Sequence, residues 1–593
     1  MLRSLLHGRW IVAALLTAWL MHGRARGESL EVRITPGVSG ETVQRGSLRY
    51  RTGAGEAFSI TRVSYLLSDF GIQRQDGTWQ ELPKTAAWMD AELGRNSVRL
   101  DPVADGAIRS LRFRLGLSPE VNRADPATHP AKHPLNPNLN GLHWSWQGGY
   151  IFLALEGLTR SPGSPLGGWS YHLARDTNSV WITIPVNTEL RGAAILDLDF
   201  DLGIVLNAPR PLSFVRDGTS THSRDGDPIS AALVHNLPGA FRLRGVRSNP
   251  GTNDPAIRSR PKPYSMPGTF TPFPFQLSDT FPMPELPADN PLIAERVELG
   301  RRLFFDRTLS VNDRQPCSQC HSPALAFSDG RPLSMGTEGK LGRRNSMPLF
   351  NLAWKREFFW DGRAKRLRDQ VLQPIQDPLE MHQGLPELVE KLSKDARNYP
   401  PRFEAAFGSR EITAEKLALA LEAYLLSLTS CDSKADQVFR GTEHFTAEEQ
   451  RGFELFSTEY DPRRGQYGAD CFHCHGGPLF LSQSFGNNGL KLLNGDRGRA
   501  EVTGKDYDVG KFAVPSLRNV ALTAPYMHDG RFATLEEVVR HYASGITRSA
   551  TLDPNLAKHP DGGVPLSEAD QRALVAFLRT LTDPRPNLGT EVP

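Results

Sequence analysis

Two five-residue runs constrain this chain more than anything else in it: Cys317-Ser318-Gln319-Cys320-His321 and Cys471-Phe472-His473-Cys474-His475. Cys-x-x-Cys-His is the attachment signature of c-type haem: both thiols bond one porphyrin, and the adjacent histidine becomes an axial iron ligand. One turn of backbone brings the two sulfurs to one porphyrin edge and leaves the imidazole under the metal. A single copy would equally read as a redox dithiol or half of a zinc site. Zinc needs four converging ligands, and nothing beside the first motif supplies two more. Two complete copies, 154 residues apart (471 − 317), point to two covalently bound haems in two lobes. His473, inside the second motif, reads as a spacer. Cys431 is left over and reads as a small residue where a helix ends.

At 593 residues the chain exceeds one core, and two or three domains are expected. Residues 1–27 read as a secretory signal: Arg3 and Arg9 make a basic start, Trp10 to Met21 an apolar stretch, and small residues surround Ala25-Arg26-Gly27. That stretch is short for a bilayer span, so the expectation is cleavage, a periplasmic location and no membrane span in the mature protein. Loss of 1–27 removes four arginines and no acid, taking the net charge from +3 to −1 (3 − 4). A balance so near zero implies no nucleic-acid partner.

Residues 28–245 read as an all-β sandwich of about eight strands. Short alternating runs recur at Ser29–Thr35, Ile108–Leu117, Tyr150–Leu155, Val180–Pro185 and Ala194–Leu202, separated by Gly, Pro, Asn and Asp. Eleven prolines between Pro250 and Pro291 mark a Pro-rich linker over 246–284, a stiff tether that holds the sandwich near the rest of the chain. Residues 285–585 read as mainly helical, with a first cytochrome c lobe over 285–440, a second over 441–585 and a tail at 586–593. Helical spacing is clear in Leu292–Phe305, Thr413–Leu428 and Ser567–Leu581, the last two opening on a capping residue.

In this helical half, Pro287-Ala-Asp-Asn-Pro291, Leu299-Gly-Arg-Arg-Leu-Phe-Phe-Asp306, Phe359-Trp-Asp-Gly-Arg363 and Val514-Pro-Ser-Leu-Arg-Asn-Val520 resemble bacterial di-haem cytochrome c peroxidases over about 300 residues. The resemblance implies a peroxide-reacting haem in the first lobe and an electron-transfer haem in the second. Two departures narrow it. Where ordinary members carry a removable distal histidine, the loop here is Ser334-Met335-Gly336-Thr337, and no histidine occurs between His321 and His382. The first iron is therefore expected to be open. Where ordinary members ligate the second haem with a methionine fourteen residues after a Pro-Tyr-x-His motif, here Pro525-Tyr526-Met527-His528, this chain has Tyr542. A phenolate stabilises oxidised iron where a thioether stabilises reduced iron; Met527 is the competing ligand.

Both departures resemble MauG and its MbnH-type relatives, which oxidise tryptophan or tyrosine in another protein. The matching positions over the open iron are Gln370, Pro374, Glu380 and Met381. On that resemblance Glu380 is the general acid/base that moves a peroxide proton, Gln370 a hydrogen-bond donor over the iron, and Trp360 a relay between the haems. The plain alternatives are a salt-bridged helix-terminal glutamate and a core tryptophan. Asn345, Thr523 and Pro525 match the family's calcium site.

The β half holds Gly141-Leu-His-Trp-Ser-Trp-Gln-Gly-Gly-Tyr150 and Trp169-Ser-Tyr-His172, which resemble MbnP-type copper-binding proteins. The resemblance implies that Trp144 or Trp146 is oxidised to kynurenine and that His143 and His172 bind copper beside it. Strand alternation sets Trp144 and Trp146 on one face and His143 on the other; His129, His133, His222 and His235 are weaker ligand candidates. Tyr424, Tyr460, Tyr467 and Tyr507 are available stepping stones for an oxidising equivalent. The expected activity is thus peroxide-driven oxidation of a tryptophan in the chain's own β half, creating a copper site. The rivals are a peroxide-scavenging peroxidase fed by a small redox donor, with an appended copper module, and a copper chaperone whose haem half only matures it.

Overall fold

The computed structural model describes residues 28–584, apart from 83–84, 145–147, 162, 164, 249–263 and 395–397. The expected signal segment, Trp146, much of the linker and the tail lie outside the described residues.

The β half is built on two sheets, of five and ten strands. In the smaller, Glu28–Val38 lies between Ala194–Asp201, which it pairs in parallel, and Ser97–Val103. Alternation decides what it buries: Leu30, Val32 and Ile34 face the core, while Glu31 and Arg33 pair with each other outside it. The larger sheet centres on the long strand Arg62–Arg74, flanked by Gly106–Leu115 and Ile151–Arg160. The two meet through aromatic rings, Phe200 lying 5.2 Å from Tyr65 and stacked 4.3 Å on Phe241. The count exceeds the expected eight because pieces such as Tyr50–Arg51, Ala57–Phe58 and Ser220–Thr221 are too short to alternate visibly. The final strand runs on to Ser248. The β half also contains short helices that an all-β reading leaves out, the longest being Leu202–Asn207 and Pro228–Asn236. These two each open on an aspartate, Asp201 or Asp227, whose side chain accepts two main-chain N–H groups.

The helical half repeats one device. In the first lobe Ala294–Phe305 crosses Ala414–Ser427 at Gly300, where an added Cβ would stand 1.9 Å from the Ala420 carbonyl oxygen. In the second, Ala447–Ser457 crosses Glu568–Arg579 at Gly452, where the same atom would stand 2.0 Å from the Ala573 oxygen. Only glycine permits so close a crossing. Thr413 and Ser567 cap their helices as expected, accepting from Lys416 N and Asp570 N.

The described part of the linker forms no helix, as its prolines dictate, yet it is not a free tether. The Trp354 indole N–H donates to the Pro282 carbonyl, and Arg296 donates to the Ser265 carbonyl. The two halves are docked directly. Gly167–Ala174 of the β half lies on the short helix Pro554–Ala557 of the second lobe. There Leu158 packs with Ile546, Leu552 and Ala557, and Arg464 pairs with Asp227 at 2.6 Å. Among the described residues, no helix is long and apolar enough to cross a membrane.

Candidate functional site

Both Cys-x-x-Cys-His motifs form a single tight turn, Cys317–Gln319 and Cys471–His473, and each histidine N–H donates to the first cysteine's carbonyl at 3.0 Å. Each histidine ring is held by one nitrogen. His321 Nδ1 lies 2.9 Å from the Phe327 carbonyl, and His475 Nδ1 lies 3.1 Å from that of Pro515. Nδ1–H is thereby the donor, and Nε2 keeps the lone pair an iron needs. Burial holds the His475 imidazole down at about 4 and lowers that of His321. Burial also pushes the Cys317 and Cys471 thiols up to about 12 and Cys320 to about 11. Reactive dithiols need the opposite. An apolar cavity opens over the second motif, lined by Cys471, Cys474, His475, Trp360, Met527 and Tyr542. Donor set, ring orientation and apolar cavity fit a covalently bound haem.

Tyr542 stands in a π-turn, His541–Gly545, a distortion found at functional sites. Its hydroxyl and the Met527 sulfur face one amide, Asn488 Nδ2, at 3.5 and 3.4 Å. Both candidate ligands therefore line the same cavity. Trp360 joins the lobes: its indole N–H donates to the Asn345 carbonyl, and its own carbonyl accepts from Ala513 in the second lobe. Ser346, next to Asn345, lies 3.2 Å from His321 Nδ1.

Over the first motif, the Thr337 hydroxyl donates to Asn312 Oδ1 at 2.6 Å and its N–H to the Glu380 carbonyl at 2.7 Å. Gly336 is pressed on Leu379, an added Cβ falling 2.0 Å from that carbonyl oxygen. The distal loop is thus pinned to the Glu380 turn. That turn folds back on the helix Leu367–Gln376, with Met381 N–H donating to the Pro374 carbonyl; Gln370 is half-buried on the same helix. Burial, aided by Asp377 and opposed by Arg363, pushes the Glu380 carboxyl up to about 7. Its charge is felt at Cys317 and Cys320. At the expected calcium positions, the Asn345 amide donates to the Arg331 and Pro332 carbonyls and the Thr523 hydroxyl to that of Val520. Asn345 N–H donates to the His528 carbonyl, three residues beyond Pro525.

At the junction of the halves, His172 and His222 of the β half meet His473, with one ligand atom from each ring within 4.8 Å of the others. Trp144, 6% exposed, lies 5.2 Å from the His222 ring and 6.3 Å from His172. Sequence reasoning pairs His172 with His143. The structure corrects this: His143 turns away, its ring on Tyr150 at 4.8 Å, and its strand-like contact is an isolated bridge to Tyr150. In sequence alone His222 is a weak candidate and His473 a spacer. Neither could be raised from sequence, because their meeting depends on how the halves dock. Burial, with the neighbouring His222 and His473, brings His172 down to about 3 against the pull of Glu156. Although burial opposes it, Arg62 and His172 hold Glu156 well below the usual carboxylate range.

Two covalent attachment motifs, in paired helical lobes with a tryptophan between them, define a di-haem c-type protein. The comparisons make this specific. The di-haem cytochrome c peroxidase family model matches residues 294–444, and the MbnP family model matches 27–222. Methylamine utilization protein MauG of Methylorubrum extorquens is 37% identical over 299 residues, half of this chain and 80% of that protein. Cytochrome c551 peroxidase of Nitrosomonas europaea is 32% identical over 311 residues, 52% of this chain and 85% of that protein. A solved MauG-like protein associated with microbial copper homeostasis is 34% identical, covering 54% of this chain and 97% of that one, with a TM-score of 0.48. The chain belongs to the di-haem cytochrome c peroxidase family, as a peroxidase-type oxidoreductase joined to an MbnP domain.

Proposed function

We propose that this protein, in the periplasm, uses hydrogen peroxide to oxidise Trp144 of its own β half to kynurenine, and so gives that half a new donor for copper. The position of Trp144 carries the reading. Its indole lies against His222, whose ring is 5.7 Å from Phe472, between the two attachment cysteines of the second motif. One imidazole thus separates Trp144 from the second haem's anchor, and none of the four candidate tyrosines is needed. When bound, the haems supply the oxidising equivalents from peroxide. Glu380, with its carboxyl near neutrality, takes a proton from one peroxide oxygen and returns it to the other. Trp360 offers a ring between the lobes through which an oxidising equivalent passes.

The conversion balances with two peroxides, which accept four electrons: tryptophan + 2 H₂O₂ → kynurenine + formic acid + H₂O. Ring opening leaves an aniline nitrogen and an aryl ketone beside His172 and His222, and nitrogen donors of this kind suit copper.

Peptide mapping after peroxide exposure tests this. The peptide carrying Trp144 and Trp146 should gain about 4 Da, one oxygen gained and one carbon lost, with fragmentation assigning it to Trp144. Trp144→Phe should abolish the gain. An unmodified peptide after peroxide has been consumed would favour scavenging with an external donor.

A further inference from the structure

We propose that His473, in the second haem-attachment motif, joins His172 and His222 in a three-imidazole copper(I) site shared between the two halves. This shares the copper chemistry of the reading above but not its oxidation step, since the three ligands exist before Trp144 is touched.

The argument rests on where each ring's nitrogens go. His172 Nε2 lies 3.0 Å from Glu156, and His172 Nδ1 is buried without a hydrogen-bond partner. His222 Nδ1 lies 2.6 Å from Glu459. His473 Nδ1 lies 3.1 Å from Asp470. Each ring thus turns one nitrogen to a carboxylate; those of His172 and His222 are hydrogen-bonded to it, while His473 Nδ1 lies close to Asp470 without a hydrogen bond. The other nitrogens are left with lone pairs. Two of them, His222 Nε2 and His473 Nε2, stand only 2.8 Å apart. Two lone pairs at that distance repel unless something positive lies between them. A proton there would reconcile His222 with His473 but leave His172 Nδ1 orphaned, a costly state for a buried polar atom. A cation bound by all three rings gives His172 Nδ1 a partner and lies between the facing His222 and His473 nitrogens.

A carboxylate behind each ligating histidine is the arrangement that fixes tautomer and aim in metal sites. Lys558 holds two of these carboxylates in place, 3.1 Å from both Glu459 and Asp470. Imidazole serves several first-row metals, copper among them. The MbnP match over the domain that supplies His172 and His222 points the same way. Neither half holds the complete ligand set, so copper also ties the halves together.

The test uses the full-length di-haem protein, never exposed to peroxide, titrated anaerobically with copper(I) against a cuprous chelator. Wild type should bind one copper per chain. Haem content is measured in parallel, so that a lost ligand is not confused with a lost haem. His473→Ala and His172→Ala should each weaken binding by more than the roughly 10–100-fold typical of losing a carboxylate behind a ligand. His129→Ala, in a ring stack apart from this site, should not. If His473→Ala fails to retain both haems, Asp470→Asn decides instead, with roughly 10–100-fold expected. Affinity within about threefold of wild type in the deciding variant would overturn the shared site, given those expected losses. So would the absence of copper binding before oxidation. Zinc displacing copper at equal concentration would overturn the choice of metal.

Discussion

Gly168→Val should uncouple tryptophan oxidation from peroxide chemistry. Gly168 lies where the β half meets the second lobe, and an added Cβ would stand 1.8 Å from the Pro554 carbonyl oxygen, 2.7 Å from its carbon and 2.8 Å from Lys558 N. All three are backbone atoms, so no side chain can rotate aside. The strand Gly167–Ala174 must withdraw, carrying His172 from His473. Overpacking of this kind costs about 1–3 kcal/mol, roughly a 5- to 150-fold loss in the docking equilibrium. Glu380 and the first motif lie in the other lobe, so peroxide should still be consumed at its first turnover. The Trp144 conversion should fall several-fold, and small-angle scattering should show a larger particle. Gly167→Ala is the control, because a Cβ there meets nothing closer than 3.9 Å. Wild-type conversion of Trp144 in Gly168→Val, with both haems present, would refute the claim that docking delivers the oxidising equivalent.

The haem half supports three further expectations. Electron paramagnetic resonance of the resting ferric protein should show one high-spin haem, because Thr337 is committed to Asn312 and no histidine lies between His321 and His382; two low-spin signals alone would contradict this. Glu380→Gln should slow the peroxide step by about 10²–10⁴-fold. The wild-type rate should fall as pH drops through about 7, where the carboxyl becomes protonated and can no longer accept the proton, and the variant should lose that limb. Tyr542→Met should raise the second haem's potential, measured by redox titration, since a thioether favours reduced iron; an unchanged potential would transfer the ligand role to Met527, which lines the same cavity.

What is legible in the sequence is what is local. A haem-attachment motif is one turn of backbone, so Cys317 to His321 and Cys471 to His475 carry their own geometry. Caps such as Thr413 and Ser567 are local too, and so are the alternating strands long enough to display a period. The helices of the β half escape notice because even Leu202–Asn207 and Pro228–Asn236 are too short to show a helical repeat, although Asp227-Pro228 is a readable start signal.

The junction site shows the other limit. Alternation already sets His143 and Trp144 on opposite faces, so a site holding both contradicts the pattern used to find it. The structure turns His143 onto Tyr150 and Trp144 onto His222, and discards the pairing. The partners that replace His143 come from 50 and 301 residues beyond His172 (222 − 172 and 473 − 172). His222 sits directly after a two-residue strand, which carries no period. His473 looks like a spacer because its neighbours Cys471, Cys474 and His475 account for the motif without it. Its meaning comes from across the junction, where Glu459 and Asp470 of its own lobe orient imidazoles from both halves. A residue whose partners lie on another domain leaves no mark in its own segment, and only docking makes it readable.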